Sequence, residues 1–168
     1  MKKFMIVLII GLISLSAIGQ ESDADKLFDK YSSEKGVTSI VISKYMITMF
    51  SNMETDDTDF DEMINVLTGI KMLSGISETS SDNFYKNIRQ KLPELGYNEL
   101  MYVTEDGNQL KFFVHETNKK VDELVLVSVG EKEDGNLFIL IQGDINLKTI
   151  HRIAKVNGLE KLQNIKEK

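Results

Sequence analysis

Cysteine and tryptophan are absent from this 168-residue sequence, and proline occurs once. Without cysteine the chain forms no disulfide bond, and it cannot carry the cysteine-linked lipid of a bacterial lipoprotein. The lack of tryptophan and the single proline argue against an antibody-like binding surface and a polyproline-type ligand. Basic residues are also in deficit, since 20 Lys and Arg stand against 26 Asp and Glu. Nucleic acids and anionic membranes attract the opposite charge, so we discount both as partners.

Signatures of catalysis and of metal binding are missing as well. The sequence contains no G-x-S-x-G, G-x-G-x-x-G or H-E-x-x-H motif. Gly69 and Gly75 are not followed by the Gly-Lys of a phosphate-binding loop, and we interpret them as a helix end and a strand kink. His115 and His151 are the two histidines, and zinc would need further converging ligands, so we interpret both as structural. These absences predict a protein that is not an enzyme and uses no cofactor.

The first twenty residues have the pattern of a secretory signal peptide. Lys2 and Lys3 precede an apolar run from Phe4 to Leu15, and Ala17-Ile18-Gly19 is a small-x-small cleavage site. The run is short for a membrane span, although an uncleaved anchor is the alternative. Cleavage after Gly19 removes two lysines and changes the formal net charge from −6 to −8. We therefore expect a periplasmic or secreted protein without a stable membrane anchor.

Four β-rich runs between Tyr97 and Gly143 predict an antiparallel meander, around which the rest of the chain is organised. The runs are YNELMYVT, LKFFVHET, VDELVLVSVG and NLFILIQG. Asp-Gly at Asp106-Gly107 and at Asp134-Gly135 favours tight hairpin turns, because both residues tolerate positive φ. The turn at Thr117–Lys120 lacks glycine, so its type stays open. The last two runs are apolar on both faces, which predicts that these strands are central and covered on both sides.

Helices and strands alternate in the residues that precede the meander. Val37–Ser43 is β-branched and nearly continuously apolar, which predicts a strand buried on both faces. A second strand is predicted at Ile70–Ile76. Helices are predicted at Asp23–Ser33, Lys44–Phe50, Phe60–Leu67 and Ser80–Leu95, and a last one begins near Asp144 or Asn146. The first two strands and the helical segment between them form a β-α-β unit, whose crossover is right-handed if the strands are parallel neighbours.

These elements predict an α+β fold with one domain. The sheet should be mixed and mostly antiparallel, with about six strands, a C-terminal four-stranded meander and helices packed on it. We expect residues 1–19 to be the signal peptide, 20–156 the α+β domain and 157–168 a polar C-terminal tail.

Several blocks of the sequence resemble those of a known family. GVTSIVISKYMITMF, LTGIKMLS, LPELGYNELMYVTEDG and LFILIQGDINLKTI are similar to the family of small exported bacterial proteins called domain of unknown function 4252. The resemblance runs from about Ala24 to Ile153, and its motifs are structural. It implies export in Gram-negative bacteria, an α+β fold and no assigned enzyme activity. Because family members are thought to be encoded near extracytoplasmic sigma factors, it also hints at a role in envelope stress.

An acidic segment after the Lys44–Phe50 helix is a weak calcium candidate. Asp57, Asp59 and Asp61 match the first three ligand positions of an EF-hand loop. The sixth position is Glu62 instead of glycine, and the twelfth is Thr68 instead of glutamate, so the match fails at two essential places. We favour a solvated linker whose acids support the next helix N-terminus, with calcium binding outside EF-hand geometry as the alternative.

The aromatic and methionine side chains of the first half have two interpretations. Tyr45, Met46, Met49 and Phe50 form the predicted apolar face of their helix, and Met53, Met63 and Met72 follow. Core filling under the sheet is the simpler interpretation, and a ligand groove between this helix and the sheet is the alternative. We therefore expect an exported, non-enzymatic binding or adaptor protein of the cell envelope whose partner is an envelope protein. A periplasmic carrier of a small apolar ligand and an envelope-stress accessory protein are the alternatives, and a hydrolase with an unrecognised site ranks last.

Overall fold

A computed structural model describes residues 21–52, 58–75, 87–105, 108–129 and 137–145. They form one six-stranded sheet with helices packed on both faces, which confirms the α+β fold class. The helices are α1 (Asp23–Ser32), α2 (Lys44–Ser51), α3 (Thr58–Val66) and α4, described over residues 87–94. The strands are β1 (Thr38–Ser43), β2 (Leu67–Ser74), β3 (Asn98–Glu105), β4 (Asn108–Thr117), β5 (Lys120–Val129) and β6 (Leu137–Ile145).

The sheet has the strand order β1-β2-β6-β5-β4-β3, and all five neighbouring pairs are antiparallel. The meander from β3 to β6 is confirmed, and β1 and β2 are added to it beside β6. Because β1 and β2 are antiparallel neighbours, the right-handed parallel crossover considered for the β-α-β unit does not arise.

Each face of the sheet carries its own hydrophobic core. On the first face α1 and α4 pack on buried residues of the central strands: Leu73, Phe113, Val125, Val127, Phe138 and Leu140. On the second face α2 contributes Ile47 and α3 contributes Ile64 to a core that is centred on Phe112, Leu124 and Leu126. Alternating side chains of β5 and β6 are buried in both cores, which confirms that these two strands are central.

The structure gives the type of the turn between β4 and β5, which the sequence leaves open. Asn118 and Lys119 both have positive φ, at 54° and 64°. Two consecutive positive values are the geometry of a type I′ turn, whose twist matches that of the strands it joins. The hairpin is therefore tight even though it contains no glycine.

The prediction that residues 37–43 are buried on both faces is wrong. β1 lies at the edge of the sheet, and all of its residues except Ile42 are exposed. β-branched, apolar composition identifies a strand, but it does not tell an edge strand from a central one. The second strand also begins earlier than predicted, at Leu67, so Gly69 lies inside a strand instead of ending a helix.

Gly143 lies where the end of α3 crosses β6. Leu67 pairs with Gly143 and Gly69 pairs with Gln142, so β2 carries one extra residue and bulges at this point. The bulge brings the Val66 carbonyl oxygen to 2.2 Å from the place that a Cβ atom on Gly143 would occupy. Gly143 also has a φ of +154°, so this position requires glycine for two reasons.

Several predicted features lie outside the described residues. They are the signal peptide of residues 1–19, Asp57, the turns at Asp106-Gly107 and Asp134-Gly135, His151, the last helix and the tail of residues 157–168. Among the described helices, none has the length and apolarity needed to cross a bilayer.

Candidate functional site

The four residues predicted to face the core from α2 point the other way. Tyr45, Met46, Met49 and Phe50 are all exposed, Tyr45 to 78%, whereas Ile47 is the buried residue of this helix. Core filling is therefore wrong for these residues, and a ligand groove between this helix and the sheet stays a prediction. The helix is apolar on more than one side, and its rotation is set by Ser43, which ends β1 and caps the N-terminus of α2.

The exposed residues of α2 continue along the chain from exposed residues of β1. Ile40 and Val41 are exposed to 45% and 60% on the edge strand immediately before the helix. We call these six residues, Ile40, Val41, Tyr45, Met46, Met49 and Phe50, the β1–α2 surface; Val41 lies on the first face of the sheet, and Ile40 and α2 lie on the second. Lys44 is the only charged residue between positions 37 and 51, in a chain of which 27% is charged. An uncharged apolar surface of this kind is typical of a protein–protein contact.

A second candidate site is a polar cavity of about 360 Å³ where α1 begins. It is lined by α1 residues Ser22, Asp23 and Lys26, by Tyr97 before β3, and by His115, Thr117, Asp122 and Glu123 of the β4–β5 hairpin. The volume is near the lower end for small-molecule sites, and the lining is mainly polar. This cavity therefore does not have the chemistry of an apolar-ligand carrier.

One side of the cavity is organised around Asp122. His115 Nδ1 lies 2.8 Å from Asp122 Oδ1, and the Thr117 hydroxyl donates to Asp122 Oδ2 at 2.6 Å. Burial acts against the charged form of Asp122, but the hydrogen bonds from Thr117 and His115 outweigh it and hold the pKa of this carboxyl below its ordinary value. Because a carboxylate accepts hydrogen bonds, Asp122 favours the forms of His115 that carry a proton on Nδ1, and the contact orients the ring.

A chain of buried polar groups runs from the cavity across the first face of the sheet. The Tyr97 hydroxyl donates to Glu123 Oε2, and Gln142 Nε2 donates to Glu123 Oε1 at 2.9 Å. The same Gln142 nitrogen donates to Asp25 Oδ2 at 3.1 Å, and Lys71 Nζ lies 2.8 Å from Asp25 Oδ1. Glu123 and Asp25 are only 6% and 8% exposed. The chain therefore links α1 to three strands through buried carboxylates that are all partnered.

Tyr97 keeps its proton over the whole physiological range. Burial and the hydrogen bond to Glu123 raise the pKa of the Tyr97 hydroxyl well above its ordinary value of 10. The group is therefore a hydrogen-bond donor and not a base. Ser22 and the Ala24 backbone, at the start of α1, act on this pKa in the opposite direction but do not offset the rise.

We expect Tyr97→Phe to destabilise the protein by about 2 kcal/mol, because the buried Glu123 Oε2 loses its donor and only the bond from Gln142 to Oε1 remains. The raised folded-state pKa of Tyr97 also gives a stability contribution that is complete below pH 10 and lost as pH rises further. Urea unfolding at pH 7 and pH 10.5 should therefore show a smaller difference between the two proteins at the higher pH. Tyr102→Phe, at an exposed position, is the control. A difference that grows with pH would contradict this assignment.

His115 is oriented by a carboxylate, but no hydrogen bond joins it to a serine or threonine nucleophile in the part of the chain that the structure describes. Within those residues no group of three or more His, Asp or Glu side chains could hold a metal ion.

Of the calcium candidates, Asp59 and Asp61 belong to α3, which is already helical from Thr58, so they do not form an EF-hand loop. Asp57 lies outside the described residues, and calcium binding in another geometry stays a prediction.

The polar chain that joins Asp25, Glu123 and Gln142 was not predicted from the sequence. Glu123 comes directly before the apolar run of β5, Gln142 comes directly after that of β6, and Asp25 is one of several acids in α1. A polar residue on the buried face of a central strand is the available signal, because such a residue needs a partner.

A comparison with protein-family models covers most of the described fold. The model of the family described as Domain of unknown function (DUF4252) matches residues 31–153. No curated protein and no solved structure matches the chain. The matched region contains all six strands and both faces of the sheet, as well as α2 and Gly143. The chain therefore belongs to the DUF4252 family.

Proposed function

We propose that this protein is an exported, non-enzymatic binding or adaptor protein of the bacterial cell envelope. The observation that carries the proposal is the β1–α2 surface, which exposes six large apolar side chains in a region with one charge. Leaving such side chains in water forgoes about 25 cal/mol for each Å² that a partner could cover. A role in protein binding gives this surface a use.

The export part of the proposal rests on the N-terminal sequence. Two lysines, an apolar run and a small-x-small site are the three parts of a secretory signal. Expression of the full sequence in a Gram-negative host, followed by cell fractionation, tests it. We expect a shortened chain that begins near Gln20 in the periplasmic or extracellular fraction. Full-length protein in the cytoplasm would refute export.

The carrier alternative has less support. The hypothesis of an apolar-ligand carrier rests on a groove between α2 and the sheet, and the side chains assigned to that groove are exposed. The described cavity at the start of α1 is polar, so it favours a small polar molecule over an apolar one. The envelope-stress role remains a hypothesis, based on family resemblance and compatible with an adaptor.

Photo-cross-linking in intact cells tests the binding function. We expect Met49→p-benzoylphenylalanine to give a light-dependent cross-link to a protein, because the side chain lies in the β1–α2 surface. The same group placed at Tyr102, which is exposed on the opposite edge strand, is the matched control. The product should disappear when Tyr45→Ser and Phe50→Ser are added. Equal yields from positions 49 and 102 would overturn the proposal.

A further inference from the structure

We propose that the partner on the β1–α2 surface is a second copy of this chain, which pairs β1 with β1 across a two-fold axis to form a continuous twelve-stranded sheet. The inference rests on the proposed binding function, since it names the partner of the same surface. The two edge strands of the sheet, β1 and β3, differ in how they are protected against pairing with another strand.

β1 has none of the usual defences of an edge strand. Its sequence, TSIVIS, contains no charge and no proline, and its pairing with β2 shows no register shift. Natural edge strands avoid association through charged residues, proline or bulges. The free edge of β1 therefore offers a straight row of backbone donors and acceptors to another strand.

The opposite edge, β3, is protected. A register shift between Glu99 and Met101 interrupts its pairing with β4, and the strand carries Glu99 and Glu105. Lys111 reinforces the charged character of this edge through a 2.6 Å ion pair with Glu99. Pairing of β1 with β3 would join unlike edges and propagate into a filament, whereas pairing of β1 with itself closes as a dimer. The contrast between the edges favours the closed dimer.

Antiparallel pairing of two β1 strands also covers the helices beside them. The two-fold axis is perpendicular to the sheet, so each copy presents the same face on the same side. Both α2 helices then lie on the second face, next to the seam between the copies, and their exposed side chains meet across it. The β1–β1 dimer contact therefore buries the free backbone edge of β1 and the exposed apolar side chains of α2 at the same time.

The pleat of the strand restricts the register. Ile40 pairs with Met72 and points to the second face, whereas Val41 pairs with Lys71 and points to the first. Residues directly opposite each other in a sheet share a face. The two-fold axis must therefore lie midway between the two copies of one residue, which we place at Val41 or Ile40 in the middle of the strand, and a register with Ile40 opposite Val41 is excluded.

Charge does not oppose this contact locally. Lys44 is the one charged residue of the segment, and antiparallel pairing places it near residue 38 of the other copy. The two Lys44 residues are then roughly 20–26 Å apart along the strands, at about 3.3 Å per residue, beyond the ~8 Å screening length at physiological salt. The formal net charge of −6 per chain lies elsewhere and is screened by salt.

The area is of the size that a dimer needs. Large side chains expose about 150–250 Å² when free, so the exposed fractions of the six residues correspond to roughly 600 Å² per copy. A standard interface buries about 800 Å² per partner, and the backbone edge of β1 supplies part of the remainder.

Engineered cysteines test the register, because the natural sequence contains none. We expect Val41→Cys or Ile40→Cys to form an intermolecular disulfide under mild oxidation, since directly opposed Cα atoms lie about 4.5–5.5 Å apart. Tyr102→Cys is the matched control, because Tyr102 and Val41 are each 60% exposed on opposite edges. Cross-linking at neither position 40 nor 41, or equally at 102, would overturn the strand pairing.

Analytical ultracentrifugation tests the dimer itself. We expect the purified protein to sediment with the mass of two chains at micromolar concentration. Val41→Lys should weaken dimerisation at least tenfold, whereas Tyr102→Lys should leave it unchanged. Circular dichroism checks that both variants are folded. A wild-type monomer overturns the inference, and a cross-link from position 49 to a different protein would still support the proposed function.

Discussion

Gly143→Ala should destabilise the protein by about 3 kcal/mol or more, because the backbone itself must move to admit the new atom. A Cβ at this position would lie 2.2 Å from the Val66 carbonyl oxygen and 2.8 Å from the Leu67 Cα. Neither atom is the end of a flexible side chain, so relief requires shifting the junction of α3 and β2 or the pairing of β2 with β6. Chemical denaturation monitored by circular dichroism measures the loss.

Gly69→Ala is the matched control for that substitution. It lies in the same β2–β6 ladder, but the nearest obstacle to its Cβ is the side-chain oxygen of Gln142, at 3.2 Å. A shift of this side chain by a few tenths of an ångström relieves the contact without moving the backbone, so the loss should be clearly smaller than at Gly143. Equal losses at the two positions would show that strand propensity, and not the close approach of Val66, accounts for the glycine.

Lys71→Met should have the second largest effect, about 2–3 kcal/mol, because it leaves the carboxylate of Asp25 buried without its cation. We place the value at the low end for buried pairs, since Lys71 keeps about a fifth of its side-chain surface in solvent. Lys26→Met is the control. It removes a cation that lies 2.7 Å from Asp23 in an exposed pair, where little stability is expected to depend on it.

The effect of Lys71→Met should also depend on pH, with a defined sign. Burial alone would raise the pKa of Asp25, but hydrogen bonds from Lys71 and Gln142 outweigh it and lower the pKa below the ordinary 3.8. In the wild type this contribution is present above pH 3.8 and is lost as pH falls through the lower folded-state value. Without Lys71, burial dominates and protonation relieves the variant, so the two stabilities should converge towards acid pH.

A double substitution separates the ion pair from simple packing. Adding Asp25→Asn to Lys71→Met removes the uncompensated charge and should recover part of the lost stability. If the double variant is less stable than Lys71→Met alone, the loss comes from packing of the lysine stem against Phe28, whose ring centroid lies 5.1 Å from Lys71 Nζ.

The architecture could be predicted from the sequence because its signals are local. Alternation and turn residues define β3 to β6, and apolar character on both faces correctly places β5 and β6 in the centre of the sheet. Edge position is not local, since it depends on which strands remain unpaired after assembly. The sequence of β1 is that of a buried strand, and its exposure on the open edge was therefore not predicted.

The candidate sites were harder to predict for a related reason. The apolar residues of α2 were identified correctly, but the helix has apolar residues on several sides, and the strand before it decides which one turns inward. The polar chain joins Asp25, Lys71, Tyr97, Glu123 and Gln142 from five separate elements or junctions. No spacing in a single sequence encodes that meeting, because it follows from the order of the strands.

The insertion of β6 between β2 and β5 has a consequence for the order in which the chain can assemble. Ile70 pairs with Ile141, so the first two strands join the sheet through the strand that is synthesised last. β1 and β2 are joined through α2 and α3, and before β6 is added this pair has one unpaired backbone edge that β6 later covers and another that it never covers. Strand pairs so distant in sequence form slowly, because a long loop must close first. We therefore expect the N-terminal strands to be the part of this protein most exposed to wrong strand pairing during folding.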